Sequence, residues 1–246
     1  MKYLKHPQFP LITALAMVLF VACSKDKKLI DDDEDPIAVY DDEKPGELPG
    51  FGDADGEPQG VPFVLPAGVE LEEPIRGDED GKDPEDCLYD GPGYNVLVKI
   101  KLRRTIPGVN PIRIEFPPGL VIVSTSEGSN QNGLLIEKTI LTLPPLQVGG
   151  VSRCETTLLL LCTNETKDPS SEYHRYKFGV VTSSKLIKDL IARLQNKKIN
   201  FSDYTESQNE QRAEAQYAVQ QALYAITDGN GLNSYFINEL KKIANR

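Results

Sequence analysis

The sequence predicts an α+β domain in which strands come first and helices last. Three observations lead there. Residues 94–104 (YNVLVKIKLRR) set Val96, Val98, Ile100 and Leu102 against Lys99, Lys101 and Arg103, the two-residue period of a strand with one buried and one wet face. Further short apolar runs, broken by Pro, Gly and Asn, follow as far as residue 182. From Ser183 the period lengthens to three and four, the spacing of amphipathic helices. Strands and helices do not alternate as a parallel sheet would require, so six short strands imply an antiparallel β-sandwich or barrel, Ig-like in layering.

Each element has its own local reason. IRIEF (112–116) and GLVIVS (119–124) are separated by Pro117-Pro118, which cannot donate to a ladder. Asn132-Gly133 marks a turn before LLIEKTILTL (134–143), so 119–124 and 134–143 are expected to form a hairpin with a long loop. CETTLLLLCTN (154–164) and RYKFGVVT (175–182) complete the strands. Leu186, Ile187, Leu190, Ile191 and Leu194 then share a helix face behind Ser183 or Ser184, a helix expected to reach Lys198. Ser207 with Glu210 reads as a capping box opening a helix to Ile226, which Asp228-Gly229-Asn230-Gly231 ends. Ser234 is the expected cap of a last helix carrying Phe236, Ile237, Leu240 and Ile243.

Upstream of the strands the composition changes twice. Lys2, Lys5 and His6 precede an apolar stretch, Leu11 to Ala22, that ends in a small residue, the order of a secretory signal. Crossing a bilayer takes roughly 20 apolar residues, so 1–22 is expected to be a signal peptide rather than an anchor helix. Between Asp31 and Asp86 stand 21 acidic residues and three basic ones, in a chain of net charge −10. Such a Pro- and Gly-rich stretch repels itself and buries little apolar surface, so residues 23–86 are expected to form a flexible acidic tether. Within it only GVPFVLPAGVEL (60–71) has the apolar density for a short strand or for docking. DADG (53–56) and DEDGKDPED (78–86) alternate carboxylates beside a glycine but lack the full EF-hand spacing. The folded domain is accordingly expected over 87–246.

These features also exclude function classes. The acidic segment and the absence of a dense Lys/Arg stripe argue against nucleic acid as a partner. Beyond the signal there is one histidine, His174, too few for a histidine-based metal site or a hydrolytic triad. No catalytic residue, metal or cofactor is expected. The sequons at Asn164 and Asn200 imply exposed loops if a glycosylation system acts on the chain.

Ala22-Cys23-Ser24 behind the apolar stretch resembles the lipobox of bacterial lipoproteins, with Phe20 where Leu is usual. The resemblance implies cleavage before Cys23 and lipidation of Cys23, and acyl chains hold a protein on a membrane at about 0.8 kcal/mol per buried methylene. Ser24-Lys25-Asp26 is similar to a sorting signal for the outer face of the outer membrane, which implies an outer-membrane lipoprotein at the cell surface.

Three cysteines remain. Cys154 and Cys162 lie in one expected strand, roughly 26 Å apart at about 3.3 Å per residue, beyond disulfide reach. Cys87 therefore pairs with one of them or with neither, and the leftover thiol is a buried small hydrophobe or a reactive group. LCTN (161–164) with the later YAVQQALYAITDG (217–229) resembles the paired marks of thioester domains in bacterial surface adhesins. That resemblance implies a bond between Cys162 and a glutamine, with Gln220 and Gln221 as candidates, which would capture amines or hydroxyls by acyl transfer. Tyr224 stands where Trp is usual, and no second apolar-Gln motif follows Gly229. Read without the bond, Val219, Ala222, Leu223 and Ile226 are the core stripe of a helix and Gln220 a hydrogen-bonding side chain. Three functional expectations result: an anchored envelope protein that binds a protein or glycan noncovalently, a covalent adhesin using Cys162, and an accessory subunit of an outer-membrane assembly.

Overall fold

The computed structural model describes residues 42–79, 87–93, 95–126 and 130–246. Cys23, the signal segment and most of DEDGKDPED lie outside the described residues.

Three strands come from the stretch expected to be a tether: β1 (Gly60–Pro62), β2 (Val69–Leu71) and β3 (Ile75–Asp78). After β4 (Tyr89–Asp90) follow β5 (Val96–Arg104), β6 (Ile112–Phe116), β7 (Leu120–Ser124), β8 (Gly133–Leu134), β9 (Thr139–Leu143), β10 (Arg153–Cys162) and β11 (Arg175–Thr182). The order β5-β3-β11-β7-β8-β10 returns to β5 through the β10–β5 pairing, so six strands close a barrel. Its strands are antiparallel throughout. β1 lies antiparallel along β11, β2 lies along β5, and β4 runs parallel to β10. β6 and β9 form a separate ribbon whose inward residues Ile114, Phe116, Leu141 and Leu143 pack on the barrel core.

The tether boundary is corrected by these pairings. The domain includes residues 42–79, not 87–246 alone, and the reason is partly electrostatic. Glu70 pairs with Arg103 at 2.6 Å, Glu72 with Arg153 at 2.6 Å and Glu73 with Lys101 at 2.8 Å, so the acidic strand β2 and its turn lie against the basic outer face of β5 and β10. Apolar anchoring adds to this. Phe51 is 2 % exposed and Leu48 is buried beside it among the helices. Phe63 meets Phe178 and Phe116 at ring-centroid distances of 5.0 and 5.6 Å.

The expected hairpin is corrected as well. Leu134 and Gly133 pair with Val121 and Ile122 of β7, but Thr139–Leu143 leaves for β6. The break falls at Glu137, whose carboxylate turns to Arg246 and Asn200.

Helix α1 (Lys185–Leu194) is capped by Ser184, whose side chain accepts from the Ile187 N–H. It stops short of the expected Lys198. Glu43 sets its carboxylate on the same end, accepting from the Lys185 N–H at 2.9 Å and the Leu186 N–H at 3.2 Å, where a negative charge is favoured by the helix dipole. Helix α2 (Asn209–Thr227) is preceded by a 3-10 turn, Glu206–Gln208. The reciprocal cap joins Thr205 and Gln208 rather than Ser207 and Glu210, because that turn advances the chain before the α-helix starts. Helix α3 (Ser234–Lys242) is capped by Asn233, one residue ahead of Ser234, its side chain accepting from the Phe236 N–H.

Two cores result. Leu120 and Ile122 of β7, with Leu158 and Leu160 of β10, face the barrel interior, whereas Val121, Val123 and Leu161 face the helices. Strands buried on both faces carry no polar alternation, which is why LVIVS and TLLLLC read as continuous apolar runs.

Two substitutions probe the corrected boundary in urea unfolding followed by circular dichroism. Phe51→Ala is expected to lower stability by about 3–5 kcal/mol, since it empties a closed site. Glu43→Ala is expected to lower it by about 1 kcal/mol, the loss of a helix cap. Unchanged midpoints for both would mean that this segment does not belong to the domain.

Candidate functional site

β10 pairs with β5 from Arg153↔Arg103 to Leu160↔Val96, the first residue of β5. Main-chain groups of alternate residues face the same strand edge, so the next group in line is that of Cys162. Gln220 of α2 takes the vacated position. Its Oε1 accepts from the Cys162 N–H at 2.9 Å and its Nε2 donates to the Cys162 carbonyl at 2.8 Å. The carboxamide continues the ladder past Val96, which satisfies two groups that burial would otherwise leave unpaired.

The structure therefore brings Cys162 and Gln220 together, with the amide of Gln220 on the main chain of Cys162. The sulfur belongs to the barrel core beside Leu158 and Leu160. Burial pushes the Cys162 thiol up to about 12, against the opposite pull of hydrogen bonds with Tyr224 and Asn95. At neutral pH it stays protonated, and a thiol without thiolate character is a weak nucleophile. Tyr176 is buried beside it, and burial followed by the nearness of Cys162 raises its phenol too. Gln221, the other candidate, lines a surface groove on the far side of α2.

Cys87 and Cys154 form a disulfide with a Cα–Cα separation of 5.8 Å, which leaves Cys162 as the free thiol among the described residues. Asn164 corrects the exposed-loop reading of its sequon. It is 2 % exposed and donates to the carbonyl of Gly52 and to Asp53 Oδ1. That docking demands glycine at 52, where φ is +56° and a Cβ would lie 2.0 Å from the Thr227 carbonyl oxygen. His174 is half-buried and accepts from the Ser171 N–H at 3.0 Å. Among the described residues no cluster of His, Cys, Asp and Glu could hold a metal ion, and no helix is long and apolar enough to cross a membrane.

The open site lies elsewhere. A groove of about 770 Å³ runs between the outer face of α2, helix α3 and the turn before α2. Tyr204, Tyr217, Tyr235 and Phe236 supply its aromatic surface, and Gln208, Gln211, Gln221 and Glu214 its polar groups. Tyr235 stands edge-on to Phe236 at 5.3 Å, and the Glu239–Lys242 pair closes one side. Tyr217 and Tyr235 are both more than half exposed. The sequence signal was present in tyrosines on the wet side of amphipathic helices, but their convergence depends on how α3 folds back on α2.

Comparison with protein-family models, with curated proteins and with solved structures gives no match. Function is therefore argued from the residues alone.

The buried thiol and its glutamine give a direct test. Iodoacetamide at pH 8 is expected to leave Cys162 unlabelled in the folded protein and to label it on unfolding, and the intact mass is expected to lack the deficit of about 17 Da that a thioester's loss of ammonia would produce. Gln220→Leu is expected to destabilise the fold by about 2–4 kcal/mol, because two buried main-chain groups lose their partner.

Proposed function

We propose that this chain is a lipid-anchored protein of the bacterial outer membrane, displayed at the cell surface, whose domain binds a protein or glycan noncovalently in the α2–α3 groove. The observation that carries the binding role is the concentration of four aromatic side chains in one open groove with glutamines at its sides. Aromatic faces supply contact area at little conformational cost, and amides both donate and accept, which suits a polar ligand. Support for the anchor is the run FVACSKD behind an apolar, basic-tipped leader. The domain acts as a receptor rather than a catalyst.

The nearness of Gln220 to Cys162 motivates a second reading, the covalent adhesin, although the amide engages the Cys162 main chain and not its sulfur. It differs by one measurable bond, and the intact mass decides between the two.

Screening of the protein on glycan and peptide arrays, followed by titration of the best ligand, tests the groove. Tyr217→Ala and Tyr235→Ala are each expected to weaken binding about 10–100-fold, as for aromatic anchors elsewhere. Tyr173→Ala, an exposed tyrosine outside the groove, is expected to bind as the parent does. Equal affinities across the three would place the ligand elsewhere.

A further inference from the structure

Among the described residues six large aliphatic side chains are exposed: Val61, Val64, Ile106, Val109, Val148 and Val151. The strand directions place all six at one end of the barrel. β5 and β11 are each antiparallel to β3 and so run the same way. The loop leaving β5 (105–111) and the segment leaving β11 (183–184) thus emerge together. β10 begins at Arg153, opposite Arg103, so the loop that feeds it (144–152) is at that end too. Residues 60–68 cross between them, from Gly60 paired with Thr182 to the Gly68 carbonyl that accepts from the Thr105 N–H.

These side chains are held outward by a frame. Gly108 and Leu146 exchange main-chain hydrogen bonds of 2.9 and 3.1 Å, which tie the two loops together. Arg104 donates to the carbonyls of Ile106 at 2.8 Å and Asn110 at 2.5 Å, and the Ser152 hydroxyl donates to the Pro144 carbonyl. Val109 is 86 % and Val148 91 % exposed at the tips. Arg103, Arg113 and Arg153 stand behind them, each beside a carboxylate, of Glu70, Glu115 and Glu72 respectively. Aliphatic tips on a braced platform fit an interface whose first layer is hydrocarbon.

The chain upstream leads to the same end. Glu43 is seated on the first turn of α1, directly after β11, and Asp42 pairs with Lys185 there. Eighteen residues lie between Cys23 and Asp42, a length that spans at most about 65 Å when fully extended.

We infer that the end of the barrel formed by residues 60–68, 105–111 and 144–152 rests on the lipid surface, with Val109 and Val148 inserted among the acyl chains. This rests on the anchored reading above and adds an orientation to it. The anchor confines the domain near the bilayer, and the aliphatic end is the face turned towards it.

The chain contains no tryptophan, so single insertions report without background. The full chain carrying Val109→Trp, Val148→Trp or Tyr173→Trp is reconstituted in phosphatidylethanolamine/phosphatidylglycerol vesicles, with and without brominated acyl chains. Bromine is expected to remove more than half of the emission at positions 109 and 148 and to leave position 173, which precedes β11 at the other end of the barrel, unchanged. Protein that floats with the vesicles yet shows no more quenching at 109 and 148 than at 173 overturns the inference. If a Cys23→Ser chain floats like its parent, the anchor reading falls while the quenching still decides the seating. A parent chain that stays in solution overturns both.

Discussion

The barrel closes because Ile75–Asp78 pairs along both edges. Arg76 lies opposite Lys99 of β5 on one side and Arg175 of β11 on the other, and no other strand among the described residues bridges those two. An unclosed sheet would leave β5 and β11 with rows of unpaired main-chain groups beside an apolar interior. Ile75 is fully buried at this joint, and Ser170 reinforces it by donating to the Asp78 carbonyl while accepting from the Leu97 N–H. Every later feature depends on the closed ring: the interior that holds Cys162, the outer face on which the helices lie, and the end where the loops gather.

That joint was the least legible part of the sequence. Residues 42–79 carry strong negative charge and little apolar density, and composition rules read such a stretch as self-repelling. The rule assumes that the charges meet only one another. Here Glu70, Glu72 and Glu73 meet Arg103, Arg153 and Lys101, and Glu43 meets the free N–H groups of α1. Exposed pairs contribute at most about 1 kcal/mol each, so they choose the register more than they stabilise it, and Phe51, Phe63 and Ile75 supply the burial. By contrast β5 and β11 were visible at once, because a two-residue or continuous apolar pattern needs no knowledge of the partner. The sequence named Gln220 as a candidate partner of Cys162. Its contact with the main chain of that residue came into view only when the start of β5 was known.

Gln220 also explains how the two cores are joined. α2 is amphipathic, yet among its buried positions lie two glutamines, 216 and 220. An apolar residue at 220 would pack as well against the sheet but would strand the Cys162 N–H and carbonyl. The side chain thus fixes α2 along its own axis relative to β10. The far end of the helical layer is held differently. Arg246 makes paired contacts with Glu137 and Asp203 between 2.6 and 2.8 Å. Burial would raise the Asp203 carboxyl, but the guanidinium and the N–H groups of Asn200 and Ile199 more than reverse it. Ion pairing there is retained above the ordinary carboxylate range and lost as pH falls through the lowered value.

These two fastenings bear on how the surfaces divide their roles. The groove is built from α2, α3 and the turn before α2, and it shares no residue with the aliphatic loop end. A floor locked to β10 by Gln220 and a side locked near Glu137 by Arg246 cannot tilt independently of the barrel. Whatever orients the barrel therefore orients the groove. On the proposed seating, the loop end takes the lipid and the aromatic groove is presented by the helical layer at the side. A tether alone would leave every face equally presented, and six aliphatic side chains held in water by a braced frame would serve no purpose. Contact with lipid gives the frame a physical reason, because it gives an anchored domain a fixed attitude.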